Sequence, residues 1–395
     1  MQSPQSGWQS PTQVVAGERR LKVGTGTCSR RQFVASAMMA IGAAALGGAR
    51  PAWSQRDALD PRTLRIAAET SGIDIHNHID VPLTGAGMLG PDLDLKGEMQ
   101  RAGLSAICMT FATDYQPGDA YGRFLNALAA MDHQLQHNGM KRSLTVADLA
   151  AARRNSQPTV IQAVEGAHFL EGHLERVEEA YGRGLRHLGL LHDSDATVPL
   201  GDVYTNVPRL GGLTAFGASV IQECNRLGIL VDLAHANVQT TEMALKQSRR
   251  PVLISHTGLD TQPGSDARMA QMMRPRLIGK AQARMVADRG GAVGVWTRLS
   301  KTPLEYATNI RAMVDVIGVD HVCIGTDTKL IPAAPDHAAQ QPPHVGDSTN
   351  GAWVNQRAGF YFLVVDAMLK TGFTSGEIEK IGRGNYLRIF GEAVG

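Results

Sequence analysis

Seven side chains able to bind a metal or carry a proton stand at the ends of apolar runs: His76, His78, Glu165, His192, His235, His256 and Asp327. The first two close the run Gly72-Ile73-Asp74-Ile75-His76-Asn77-His78. Side chains two residues apart on an extended strand point to the same side, so these imidazoles can reach a single point. Neutral imidazoles converging with carboxylates suit a borderline divalent cation such as zinc. A His-x-His pair alone is weak evidence, and the other five groups give it force. Two divalent ions held close together need several imidazoles, a carboxylate between them to screen their repulsion, and a shared hydroxide as nucleophile. Blander readings compete. His235 and His256 could be core histidines satisfied by carbonyls, Glu165 a rim salt bridge, and Asp327 a loop cap. Both histidines end apolar runs and Glu165 precedes Gly166, which favours the metal.

The elements that must position these groups alternate along the chain. Strands are predicted to end near His76, Thr110, Glu165, His192, His235, His256, Thr297 and Asp327. Helix-periodic stretches lie between them at 119–137, 173–181, 214–227, 241–248, 278–289 and 303–317, and helices at 355–371 and 375–382 close the chain. Eight strands alternating with helices predict an α/β fold, a (β/α)8 barrel with its chemistry at the C-terminal strand ends. Ile229, Val231 and Leu233 are expected on the inner face of strand five, with Asp232 out of register in a packing or supporting role. Stretches 260–275 and 331–343 read as long loops on the active face. Trp296 reads equally as pocket wall or core. His133, His137, His168, His173, His187, His321, His337 and His344 fit no converging set.

A net charge of +2 over 395 residues, 19% of them charged, comes with no basic run of the kind nucleic acid or an anionic membrane would require. The cysteines, Cys28, Cys108, Cys224 and Cys323, include no C-x-x-C pair and predict no disulfide framework. Residues 1–54 read as a leader. Ser29-Arg30-Arg31-Gln32-Phe33-Val34 precedes a small-residue apolar run at 35–48, and Ala52-Trp53-Ser54 offers a cleavage site before Gln55. That is the layout of a twin-arginine export signal. The expectation is therefore a leader at 1–54 and a single barrel domain at 55–395. The protein would be exported already folded to the periplasm or beyond, with no stable membrane anchor after cleavage.

Over 72–390 the chain resembles the membrane (renal) dipeptidase family of zinc metallopeptidases, within the amidohydrolase superfamily. The matching segments begin with Asp74-Ile75-His76-Asn77, Val164-Glu165-Gly166, Gly184-Leu185-Arg186-His187-Leu188-Gly189-Leu190-Leu191-His192 and Gly212-Leu213-Thr214-Ala215-Phe216-Gly217. They continue with Leu227-Gly228-Ile229-Leu230-Val231-Asp232-Leu233-Ala234-His235, Pro251-Val252-Leu253-Ile254-Ser255-His256, Ile324-Gly325-Thr326-Asp327 and Gly384-Asn385-Tyr386-Leu387-Arg388-Ile389-Phe390. The resemblance implies two zinc ions per chain, one on His76 and His78, the other on His235 and His256, with Glu165 bridging. It implies His192 beside the substrate's oxyanion, Asp327 touching the nucleophilic water, and Arg276 pairing with the substrate's carboxylate. It also implies a dipeptide substrate and a homodimer.

Three departures from the family pattern stand out. His78 replaces the usual aspartate, Thr328-Lys329-Leu330 replaces an aspartate-glycine continuation, and Leu277 replaces an asparagine. The expected activity is dipeptide hydrolysis through a metal-bridging hydroxide. The alternatives are an amidohydrolase acting on another amide or a lactone, and a metal-dependent binding protein that has lost catalysis.

Overall fold

The computed structural model describes residues 59–84, 88–116, 118–331 and 345–395. The expected leader at 1–54, His337, His344 and nearly all of the loop at 331–343 lie outside the described residues. Eight parallel strands pair in chain order: β1 (Gly72–His78), β2 (Leu104–Thr110), β3 (Thr159–Val164), β4 (Leu185–Gly189), β5 (Leu230–Asp232), β6 (Leu253–Thr257), β7 (Ala292–Val295) and β8 (Val322–Ile324). A two-residue strand, β9 (Thr328–Lys329), pairs with β1 on its other edge. The chain from β8 into β9 closes the ring. Gly325 N–H donates to Val295 O at 3.2 Å, and Asp327 N–H to His76 O at 3.1 Å. One continuous segment thus joins β7 with its first half and β1 with its second, as a (β/α)8 barrel requires.

Asp74 ties the seam. Its buried carboxylate accepts from Thr326 N at 2.9 Å, Thr326 Oγ1 at 2.6 Å and Asn77 Nδ2 at 2.7 Å. Burial pushes its pKa up to about 6, against the lowering effect of the bonds from Thr326, Asn77 and the His76 backbone.

Helices alternate with the strands, and all but the last, which closes one end of the ring, lie outside it. They are α1 (Pro61–Thr70), α2 (Leu95–Ala102), α3 (Ala120–His137), α4 (Val146–Arg154), α5 (Arg176–Gly182), α6 (Ala215–Leu227), α7 (Val238–Gln247), α8 (Ala267–Met273), α9 (Lys280–Ala287), α10 (Pro303–Ile317), α11 (Phe360–Lys370), α12 (Ser375–Glu379) and α13 (Asn385–Val394). Their ends follow local chemistry. Thr302 caps α10 by accepting from Glu305 N, Pro303 opens its first turn, and Gly318 stops it. Among the described residues no helix is long and apolar enough to cross a membrane.

Two apolar layers result. The outer one lies between sheet and helices. The inner one takes Ile73, Ile75, Ala106, Cys108, Ile161, Ala163, Leu230, Leu253, Ala292 and Cys323 from seven strands, and Tyr386, Ile389 and Phe390 of α13 pack against it as a floor. Phe390 is fully buried there. Phe390→Ala is expected to cost about 3–5 kcal/mol by opening a cavity. The check is a lower denaturant midpoint at unchanged slope, and a loss under about 1 kcal/mol would mean that Phe390 does not seal the floor.

The fold departs from the sequence expectation in four respects. Leu230, not Val231, belongs to the inner layer, so Asp232 also points into the barrel and Ile229, Val231 and Leu233 face the helices. Both faces of a parallel barrel strand are buried, so hydrophobicity alone cannot set its phase. The stretch at 260–275 contains α8, whose N-cap Asp266 accepts from Arg268 N and Met269 N. The chain ends on α13 rather than at 382, after a π-helical turn at Lys380–Gly384. Three further helices, α1, α2 and α4, also fall outside the helix-periodic stretches.

Candidate metal centre

A change of phase in β1 aims the two leading histidines. Ile73 and Ile75 face the barrel interior, and strict alternation would send His76 and His78 the other way. The pairing of β1 with β2 shifts register between Asp74 and Asn77, and such an irregularity re-aims the residues beyond it. His76 Nε2 and His78 Nε2 consequently meet at 3.2 Å. His235 and Asp327 reach the mouth by a different device. Both sit just beyond their strands at positive φ, 69° and 55°, a region where non-glycine residues are uncommon and which recurs at functional sites.

Glu165, immediately after β3, stands at the centre. Its Oε1 lies 3.5 Å from His76 Nε2, 3.0 Å from His235 Nε2 and 3.5 Å from His256 Nε2. Its Oε2 lies 3.6 Å from His78 Nε2 and 3.5 Å from His192 Nε2. His235 Nε2 and His256 Nε2 are 3.1 Å apart, and Asp327 Oδ1 lies 3.3 Å from His78 Nε2. All seven rim residues anticipated from sequence therefore come together.

These spacings fit a metal. Tetrahedral ligands at about 2.0–2.1 Å from an ion stand roughly 3.3–3.4 Å from each other. Among the described residues, three overlapping sets have ligand atoms that all lie within 4.8 Å of one another: His76, His78 and Asp327; His76, Glu165 and His256; and Glu165, His192 and His235.

Behind the converging nitrogens stands a second row of acceptors. His192 Nδ1 lies 2.8 Å from both oxygens of Asp114, and His235 Nδ1 lies 2.8 Å from Asp193 Oδ1. A carboxylate only accepts, so each Nδ1 carries the hydrogen. Tyr204 OH also approaches His235 Nδ1, at 3.2 Å.

The electrostatics follow from this crowding. Burial acts to raise the pKa of Glu165, but His192, His76, His235 and His78 outweigh it and hold the carboxyl well below its usual range. Burial likewise opposes ionisation of Asp327, and Arg298, His256 and His78 overcome it. Arg298 Nε donates to Asp327 Oδ2 at 2.5 Å. Burial and the neighbouring His256 push His76 down, and burial pushes His256 down, which favours the neutral imidazole in both. His235 goes the other way. Against burial, Asp193 and Glu165 push it up to about 10.

A cavity of about 850 Å³ opens over these groups, walled by Tyr115, Asp193, Arg276, Trp296, Arg298 and Lys329 among others. Arg276 lies in that wall and is ion-paired to Asp193. Lys329, one of the departures from the family pattern, is paired with Asp80 Oδ2 at 2.7 Å. Trp296 lines the cavity, and its buried Nε1 meets no acceptor.

Sequence reasoning missed Asp114, Asp193, Ser255 and Arg298. Asp114 stands four residues past β2, Asp193 directly follows His192, and Arg298 follows the strand end placed at Thr297. Reading several residues beyond each strand would have found all three. Two histidines set aside as unconverged also have buried partners. His187 Nε2 lies 3.2 Å from Asp232 Oδ2, and His168 Nε2 lies 3.8 Å from Asp114 Oδ2.

Comparison with known proteins adds independent information. Dipeptidase 3 of Rattus norvegicus is 26% identical over 235 residues, which cover 58% of this chain and 43% of that protein. The match thus spans less than half the length of that relative. An amidohydrolase from Pseudomonas aeruginosa superposes with a TM-score of 0.68 at 20% identity, over 84% of this chain and 98% of that one. A metallo peptidase from Rhodobacter sphaeroides, liganded with a phosphinate mimic of the dipeptide L-Ala-D-Ala, superposes with a TM-score of 0.59 at 20% identity, over 82% and 99%. At such identities the superpositions establish the shared fold. The family assignment comes from sequence, because residues 65–394 match the pattern described as membrane dipeptidase, peptidase family M19. A barrel carrying histidines and carboxylates at its mouth, matched to that pattern over nearly its whole described length, belongs to the membrane dipeptidase family.

Proposed function

We propose that the protein is an exported, zinc-dependent dipeptidase. The observation that carries this reading is Glu165, whose two oxygens lie 3.0–3.6 Å from the Nε2 atoms of five histidines. His76, His78 and Glu165 would hold one zinc ion, and Glu165, His235 and His256 a second. When bound, such ions polarise a carbonyl and acidify water near neutral pH.

The chain's own groups supply the rest. Asp327 takes the proton of the attacking water on its carboxylate and passes it to the leaving amine. His192 donates to the developing oxyanion from Nε2 while Nδ1 stays bound to Asp114. That double donation needs an imidazolium. Glu165 and Asp114 outweigh burial and raise the pKa of His192, which favours it. Arg276, steadied by Asp193, faces the cavity where the substrate's carboxylate would sit. The phosphinate bound to the Rhodobacter sphaeroides peptidase, a dipeptide mimic, supports the substrate class. Residues 55–395 form the mature barrel in this reading and 1–54 the twin-arginine leader. The protein works as a homodimer in the periplasm or outside the cell.

A second reading, hydrolysis of another amide or a lactone, draws on His78 and on the Lys329–Asp80 pair in the cavity wall. One experiment separates the two. Protein starting near Gln55 is assayed for bound metal and for turnover of L,L- and L,D-dipeptides, N-acyl amino acids and lactones. The proposal expects about two zinc ions per chain and dipeptide cleavage that a chelator abolishes. Turnover of lactones without dipeptides would favour the second reading, and a chain that takes up no metal would sink both.

A further inference from the structure

We infer that Ser255 is a positioning residue shared by the two ion sites, one hydroxyl fixing the ring tautomer of a ligand in each. The inference rests on the two-ion reading above. Ser255 Oγ lies 3.2 Å from His76 Nδ1 and 3.0 Å from His256 Nδ1, and all three residues are buried. The rings themselves stand close, with centroids 4.0 Å apart. A serine oxygen has two lone pairs and one proton. For both rings to offer a free Nε2 lone pair to an ion, both must carry their hydrogen on Nδ1. Two Nδ1–H groups then donate into the two lone pairs of one oxygen. If the hydroxyl donated to either ring instead, that neutral ring would hold its hydrogen on Nε2 and could not act as a ligand there.

The other site histidines with a defined tautomer are held differently. His192 and His235 each have a carboxylate of their own, Asp114 and Asp193. His76 and His256 share a neutral acceptor that is itself held rigidly. Ser255 N–H donates to Asp232 Oδ1 at 2.9 Å, and the same oxygen accepts from Ala234 N at 3.0 Å. Neighbouring strands press on the Ser255 backbone. A Cβ at Gly294 or Gly325 would fall 1.9 or 1.8 Å from Ser255 O, so glycine is required at both places. Asp232 thus acts through Ser255 on the histidines rather than on an ion, and His187 behind it completes the support.

Outer partners of ligand histidines typically change metal affinity by about 10–100-fold when removed. A hydroxyl shared between two sites should weaken both; a private carboxylate should weaken one. The test titrates metal-free parent, Ser255→Ala and Asp193→Asn proteins with Zn²⁺ against a chromophoric chelator, resolving both binding steps. Ser255→Ala is expected to weaken both steps by about 10–100-fold, and Asp193→Asn only one.

Proton NMR of the zinc-loaded proteins gives a readout that loss of packing would not reproduce. Two hydrogen-bonded imidazole N–H signals of the parent should move upfield together in Ser255→Ala, while the His235 N–H bound to Asp193 stays. Ser255→Ala affinities within about twofold of the parent, or a change confined to one step or one N–H signal, would overturn the inference. A parent that binds no zinc overturns the metal reading itself, which the parallel titration reveals directly.

Discussion

Glu165→Gln is expected to lower kcat/KM for dipeptides by at least about a thousandfold, roughly 4 kcal/mol of transition-state stabilisation. The change keeps the shape of the side chain and removes its charge. Glu165 is 4% exposed and, among the described residues, is the only carboxylate whose oxygens approach all five site histidines. Two cations held close together with a neutral amide between them repel without compensation. Elemental analysis should therefore find fewer than two zinc ions per chain in the variant. Retention of both ions with activity within tenfold of the parent would show that the carboxylate does not bridge.

Asp327→Asn should separate proton transfer from metal binding. The expected result is a fall in kcat of about 10²–10⁴ with zinc content near that of the parent, because a general acid–base group is lost while the imidazoles remain. Asparagine suits the test because it is among the few residues that tolerate the left-handed backbone of position 327. Steady-state kinetics beside metal analysis decides it. Loss of zinc in step with kcat would make Asp327 chiefly a ligand, as its grouping with His76 and His78 also allows.

The sequence made the barrel and its rim largely legible, and the reason is visible at particular residues. Helix α10 runs over the expected residues because Thr302, Pro303 and Gly318 are strong local signals. The rim histidines were found because each ends or closely follows an apolar run that has no other use for an imidazole. Strand phase was harder. Asp232 was placed on the wrong side of β5 because Leu230 and Val231 are equally apolar, and both faces of that strand are buried. The residues that hold the ligands, Asp114, Asp193 and Ser255, carry no periodicity of their own. Their roles depend on which ring nitrogen lies within reach, which only the folded chain defines.

The floor made by Tyr386, Ile389 and Phe390 bears on how molecules travel. With one end of the barrel stoppered, the way in among the described residues is the cavity over Glu165. Substrate arriving and products departing must use it in turn. On the proposed reaction, two free amino acids have to clear the same vestibule before the next dipeptide can enter. The fold therefore couples turnover to how quickly the vestibule empties, and makes either amino acid, lingering near Arg276, a competitor of the substrate.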